Sequence, residues 1–467
     1  MSDSVIAGKN TRSEQEQISG RKKVWPIYAL ISGNVVSYIG NTLTLLAIPW
    51  FVLQTTHNVV LAGVVGFCSV LSMTVSGAFG GVLVERLGYK RTSVYGDLLS
   101  GLTVLLIPLL YHTVGLAFWE LVILVLLGGL LMAPASTARF SLIPNLAELA
   151  AMRLERANSF EEGALRISGF LGASLAGFLI ATIGASNLLW FDAISFAVSA
   201  LLIGLAVPRH MPIKNRAPVK QAVKTGKKQG YFAALGEGLR FTKESGLLML
   251  VFIFLIMNML DRASSAVVLP EYTLTTYKSA IPLGLFVAAK GGLGFLGTLI
   301  VAAIGHRLPR RQTLALGFIV GGAICYWVLL VPNFPIQLVC FALSGLLMSP
   351  INPLIYTVIQ ERTPREKLPR IAGVGRAMVQ AGMPLGALAG GFAVAAIGLQ
   401  TTLIIMGAIS LVVTLSILID PKLKLERDAA PSPVAEVQTQ ESPVLAAVQP
   451  EVQLPVASLS DVGVVEA

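Results

Sequence analysis

Hydrophobic and polar positions along this chain alternate on the scale of a bilayer. A membrane-crossing helix needs about 20 mostly apolar residues. Such runs recur near 25–53, 59–84, 92–112, 117–138, 160–183, 187–207, 247–272, 281–304, 313–332, 335–358, 372–396 and 400–420. The pattern predicts an all-α integral membrane protein of twelve transmembrane helices. Short joints separate the runs, and they fall into two classes. Gln54–Asn58, Gly184–Asn187, Pro332–Pro335 and Gly398–Gln400 contain no Lys or Arg. The alternate joints are basic, with Arg21, Lys22 and Lys23; Arg86, Lys90 and Arg91; Arg153 and Arg156; Arg307, Arg310 and Arg311; and Arg362, Arg365, Lys367 and Arg370. Under the positive-inside rule this alternation puts the basic joints and both termini in the cytoplasm.

The pattern also repeats itself. Residues 171–184, LGASLAGFLIATIG, and residues 385–398, LGALAGGFAVAAIG, share eight identities at an offset of 214. Arg156 and Arg370 keep that offset. Met132-Ala133-Pro134 is echoed by Met348-Ser349-Pro350, and Arg86–Thr92 by Arg307–Thr313. A duplicated half is the simplest reading, and paired membrane halves with a site between them are the architecture of secondary transporters. The expected organisation is a polar segment 1–24, a six-helix half 25–207, a basic cytoplasmic linker 208–246, a second pseudo-symmetric six-helix half 247–420 and a tail 421–467. The tail is rich in Pro, Ala, Val, Glu and Gln and reads as disordered.

Composition narrows the function. Only 13% of the 467 residues are charged and 54% are hydrophobic, against about 25% charged in soluble proteins. Mean hydropathy is +0.74. The net charge of +10 is dispersed over every second joint, which argues against a nucleic-acid partner and suits anionic lipid headgroups. Cys68, Cys325 and Cys340 all lie in apolar runs without disulfide or metal-ligand spacing,. The N-terminus has no apolar signal-peptide core, so the first helix is expected to act as its own insertion signal. HExxH, GxSxG, CxxC and GxxxxGK[ST] are all missing from the sequence, so neither an embedded enzyme nor a nucleotide-driven pump is indicated, and no cofactor or metal is implied.

Ionisable and amide side chains within apolar runs are expensive and mark pathways or partners. In the first run Asn34, Ser37, Asn41 and Thr44 form one helical stripe, read as a cavity-lining face or as interhelical hydrogen bonding. Asn258, Asp261 and Arg262 in the seventh run and Lys290 in the eighth could lie at comparable depths, either as a coupling or substrate site or as a static ion pair. Glu161, Glu162 and Arg166 open the fifth run and suggest a gate; Arg376 and Gln380 occupy the matching region of the eleventh. Asp192 reads as an interfacial anchor, and Arg139 as a residue snorkelling to the cytoplasm or touching a gate. Gly169, Gly172 and Gly177, with Gly382, Gly386, Gly390 and Gly391, permit close helix approach.

Several of these segments resemble the major facilitator superfamily. Gly81, Glu85, Arg86, Gly88, Lys90 and Arg91 occupy the loop in which that family carries G-x-x-x-D-R-x-G-R-K, with Glu85 for Asp and Tyr89 for a cation. The resemblance implies that this loop latches one state of an alternating cycle. Within the superfamily, Ala47–Thr56, Ala138–Pro144, Ala157-Asn158 and Phe191–Phe196 resemble the twelve-span drug-efflux branch of macrolide and enterobactin exporters. Gly40-Asn41 departs from its Gly-Asp and Gly172-Ala173 from its Gly-Pro. The resemblance implies a monomeric secondary active transporter in the bacterial inner membrane. It would export an amphipathic organic molecule, drug or siderophore-like, by proton antiport with alternating access. A facilitator or importer of a small metabolite and a receptor or scaffold are the rival readings.

Overall fold

A computed structural model of the chain describes residues 24–208, 247–304, 308–362 and 368–419. Helices fill these stretches, and no strand occurs among the described residues. The first half comprises span one (Trp25–Thr56), span two (Val59–Leu87), span three (Tyr89–Thr113), span four (Phe118–Leu149), span five (Leu154–Ile183) and span six (Ala185–Ala206). In the second half, span seven runs Leu247–Ala263, passes through a π-helical turn at Ser264–Val268, and resumes as Leu269–Thr276. Span eight is Ile281–Ile304. Span nine is Arg310–Phe318, a second π turn at Ile319–Ile324, and Cys325–Val328. Span ten is Phe334–Met348 continued by Ile351–Arg362, span eleven is Leu368–Ile397, and span twelve is Leu399–Ile419. Eleven helices are long and apolar enough to cross a bilayer, and span eleven contributes the shorter apolar stretch Ala381–Ile397. The expected N-terminal segment, linker and tail lie outside the described residues, apart from their edges.

Local chemistry explains the joints. Asn58 caps span two by accepting from the Val60 and Leu61 N–H groups, and Asn333 caps span ten by accepting from Ile336 N–H. Single glycines at positive φ, Gly88 (83°), Gly184 (86°) and Gly398 (80°), turn the chain between consecutive helices, where an L side chain would be strained. In span seven the π turn ends two residues before Pro270, whose missing N–H cannot continue an α-helical ladder,.

The two halves meet on glycine. A Cβ built on Gly284 of span eight would lie 2.7 Å from Gly177 Cα of span five, and one built on Gly391 of span eleven would lie 3.2 Å from Gly63 Cα of span two. These are one contact made twice. Gly391 stands 214 residues after Gly177, the offset of the sequence repeat, and Gly284 stands 221 after Gly63, the offset of the Arg86 and Arg307 echo. All four glycines lie within about two turns of the helix ends remote from the basic joints.

At that far end one apolar cluster spans both halves, joining Leu46, Phe51, Val65 and Ala176 to Leu269, Tyr272, Leu283 and Phe286. Toward the basic end the cores are separate. Ile27, Leu30, Leu142, Ile143 and Ile203 pack in the first half, and Leu250, Leu314, Phe318, Ile355 and Ile417 in the second. Among the described residues the molecule is therefore sealed at the far end and split at the basic end.

Candidate functional site

The split exposes charges in mid-helix. Asp261 of span seven and Lys290 of span eight form an ion pair of 2.7 Å, with side chains 52% and 35% exposed. Both charges are thus accessible although they stand within apolar helices, as side chains lining a cleft would be. The geometry brings together the two residues that the sequence placed at comparable depth. Their neighbour Arg262 is more enclosed, and its Nε atom is buried without a hydrogen-bond partner among the described residues. Asn258 turns back on its own helix, its Nδ2 donating to the Phe254 carbonyl at 2.8 Å.

A second polar cluster joins spans one and five. Asn34 Nδ2 donates to both carboxylate oxygens of Glu161, at 3.0 and 2.8 Å, and the Tyr38 hydroxyl donates to Glu161 Oε1 at 2.7 Å. Glu161 is partly accessible, whereas Asn34 is fully buried. Of the two readings of the Asn34 stripe, interhelical hydrogen bonding describes Asn34 and Thr44, and Asn34 and Ser37 do not line a cavity. Asn34 holds the half-buried Glu161, Ser37 is buried, and Thr44 turns toward span six. Asn41 Nδ2 is buried without a partner among the described residues. One turn along span five, Arg166 Nε donates to Glu162 Oε1 at 2.8 Å, the i,i+4 pair that the spacing suggested.

Arg139 requires a correction. It does not snorkel: it is 1% exposed and ion-paired with Asp97 of span three, which is 0% exposed. Ser199 of span six donates to the other Asp97 oxygen at 2.8 Å. Span four continues as a helix to Leu149, which carries Arg139 into the bundle instead of to its edge. A Cβ built on Gly33, next to Asn34 on span one, would lie 3.5 Å from Ser199 Oγ, so the sealed network and the helix that holds Glu161 adjoin. Asp192, expected at the membrane interface, is also 0% exposed. Tyr38 and Asp97 escaped sequence reasoning; Asp97 stands in an apolar run as a carboxylate, which is the signal that would have found it.

The remaining candidates are peripheral. Lys90 Nζ donates to the Val207 carbonyl and ties span three to the end of span six. Gly88 is the turn between spans two and three, and Arg86 and Arg91 are exposed. The side chains of Gly81, Glu85, Arg376 and Gln380 lie outside those described. A separate cavity of about 740 Å³ runs along spans five, eight and ten. Leu285, Ala289, Gly292 and Leu296 line it, a stripe that the helical period sets away from Lys290. Its lining is apolar apart from Arg166 and Ser174, and neither Asp261 nor Lys290 belongs to it.

Comparison with known proteins agrees with this architecture. The profile described as Major Facilitator Superfamily matches residues 30–257 and 251–457. The multidrug efflux pump Tap of Mycobacterium tuberculosis is 29% identical over 422 residues, covering 88% of this chain and 96% of the relative. The staphyloferrin A transporter of Staphylococcus aureus is 23% identical over 412 residues, covering 85% and 96%. Among solved structures, the nucleoside transporter NupG superposes with a TM-score of 0.68 at 12% identity, covering 84% of this chain and 98% of its own. With two glycine-seamed helical halves, each matched by the same profile, this chain belongs to the major facilitator superfamily.

Proposed function

We propose that this chain exports an amphipathic small organic molecule by alternating access, driven by proton antiport, with its basic end and both termini in the cytoplasm. The observation that carries the reading is the Asp261–Lys290 pair, held at 2.7 Å on the wall of a cleft split at the basic end. In this state Asp261 is ionised and paired, as an antiporter that has released its proton inward requires. A proton arriving at an Asp261 oxygen from the far side would cancel the carboxylate charge and release Lys290. The cost or gain of that exchange is what couples proton entry to substrate exit. Glu161, held by Asn34 and Tyr38 in the first half, supplies a second polar contact for substrate.

The similarity to multidrug efflux pumps favours a drug-like substrate, and similarity to a staphyloferrin A transporter favours a siderophore-like one. The apolar crevice along spans five, eight and ten suits lipid chains, and the transporter is proposed to act as a monomer. The reading is tested in proteoliposomes with an imposed pH gradient. Asp261→Asn should abolish gradient-driven transport while substrate exchange persists; unchanged driven transport would remove Asp261 from the coupling role. In cells, deletion should raise retention of the substrate, and reduced uptake would reverse the direction.

A further inference from the structure

Asp192 of span six is a carboxyl group without a visible reason to be charged. It is 0% exposed. Its side-chain contacts are two hydroxyls: Thr44 Oγ1 of span one on Oδ2, and Ser195 Oγ on Oδ1 at 3.1 Å. No charged side chain pairs with it or hydrogen-bonds to it among the described residues. Span one brings Gly40 and Thr44 against it, and span three brings Gly101 against the neighbouring Ala193 and Phe196; none of these titrates. Span six carries no other acid, and Asp97 of span three meets it at Ser199, seven residues on from Asp192. The space is shaped for the group, because a Cβ on Gly40 would fall 2.2 Å from Asp192 Oδ1.

Hydrogen counting then decides the chemistry. Ser195 has one hydroxyl proton, and its shorter contact, 2.8 Å, is with the Asp192 main-chain carbonyl. That leaves Thr44 as the one uncommitted donor for a carboxyl group with about four lone-pair sites. A buried carboxylate so poorly served is costly, while a neutral acid donates its own O–H to a hydroxyl oxygen and is satisfied. We propose that Asp192 carries a proton throughout the transport cycle and acts as a positioning residue, splicing span one to span six as one body. Span one is the helix from which Asn34 and Tyr38 hold Glu161, so the splice sets the position of Glu161. Proton traffic passes it by.

Infrared difference spectroscopy on the full-length protein in proteoliposomes tests this without reference to substrate or transport direction. The wild type should show the carbonyl band of a protonated carboxylic acid at neutral pH. Asp192→Asn should delete that band, and Thr44→Val should shift it. Asparagine offers the same one-acceptor, N–H-donor pattern as the neutral acid, so Asp192→Asn should transport within about threefold of wild type with an unmoved pH profile. Asp192→Ala, which leaves the hydroxyls without their partner, should lose about tenfold or more. A band untouched by both Asp192→Asn and Thr44→Val overturns the proposal. So does a folded Asp192→Asn protein whose transport pH profile moves, since Asp192 would then be a cycling proton site. If Asp261→Asn leaves coupling intact, the coupling reading fails while the Asp192 band still stands or falls alone.

Discussion

Gly284→Ala adds one methyl group to the far-end seam and should shift the whole conformational balance. The new Cβ would sit 2.5 Å from the Ala173 carbonyl oxygen, 2.7 Å from Gly177 Cα and 2.8 Å from Gly177 N. All three neighbours are backbone, so no rotamer change relieves the clash and the helices must part. Overpacking of this kind costs about 1–3 kcal/mol. The cost falls only on the state sealed at the far end, whereas the better helix propensity of Ala acts on every state and cancels in the ratio. The sealed population should therefore fall by about fivefold to 150-fold relative to states open at the far end. Spin labels at Thr182→Cys and Ile281→Cys, in a background lacking Cys68, Cys325 and Cys340, report the separation of spans five and eight by electron–electron distance measurement. Gly284→Ala should add a longer-distance population. Gly169→Ala is the control, since a Cβ there meets nothing within 4 Å. Identical distance distributions for the two variants would refute the seam.

Three further outcomes are expected. Gly391→Ala, with its Cβ 2.8 Å from the Val59 carbonyl oxygen, should reproduce the shift across spans two and eleven in the same distance measurement. Glu161→Ala strands Asn34 Nδ2 and the Tyr38 hydroxyl in a largely buried cluster, and thermal unfolding in detergent should show a loss of about 1–3 kcal/mol. Asp261→Asn removes a half-exposed pair, so the same unfolding assay should move by less than about 1 kcal/mol even as gradient-driven transport is lost.

The twelve spans were legible because bilayer thickness imposes its length on the sequence directly. The Glu162–Arg166 pair was legible for a similar reason, since i,i+4 contacts follow from helical geometry alone. The repeated glycines pointed to close packing, but which helices they joined depended on tertiary placement: span five packs on eight, and eleven on two. Arg139 was misread because its apolar run was expected to end near 138, whereas the helix runs on to Leu149. Asp192 was misread because nothing local says that span one will cover it. Gly40 and Thr44, one turn apart on span one, carried that information, but only once the partner helix was known. Asp97 and its partner lie 42 residues apart, and pairing at that range is decided by the bundle.

The internal repeat also says what the Asp97–Arg139 pair is not for. The offsets of 221, 216 and 214 that relate spans three, four and six to spans nine, ten and twelve carry Asp97, Arg139 and Ser199 onto Phe318, Ile355 and Val413. Those three residues pack together in one apolar cluster of the second half. The same fold position is therefore filled once by a buried polar network and once by hydrocarbon, and the apolar version folds. Buried ion pairs are commonly no more stabilising than well-packed apolar replacements, whereas removing one partner costs about 3–5 kcal/mol. Asp97→Ala alone should accordingly destabilise by about that amount, leaving the Arg139 guanidinium buried and unpaired. The triple variant Asp97→Phe, Arg139→Ile, Ser199→Val, which copies the second half's solution, should unfold within about 1 kcal/mol of wild type or higher. If stability were the pair's purpose, the triple variant would be as damaged as Asp97→Ala. If it is instead retained for the cycle, next to the helix that holds Glu161, the stable triple variant should fail to transport. A stable triple variant with wild-type transport would leave the pair without a role in either.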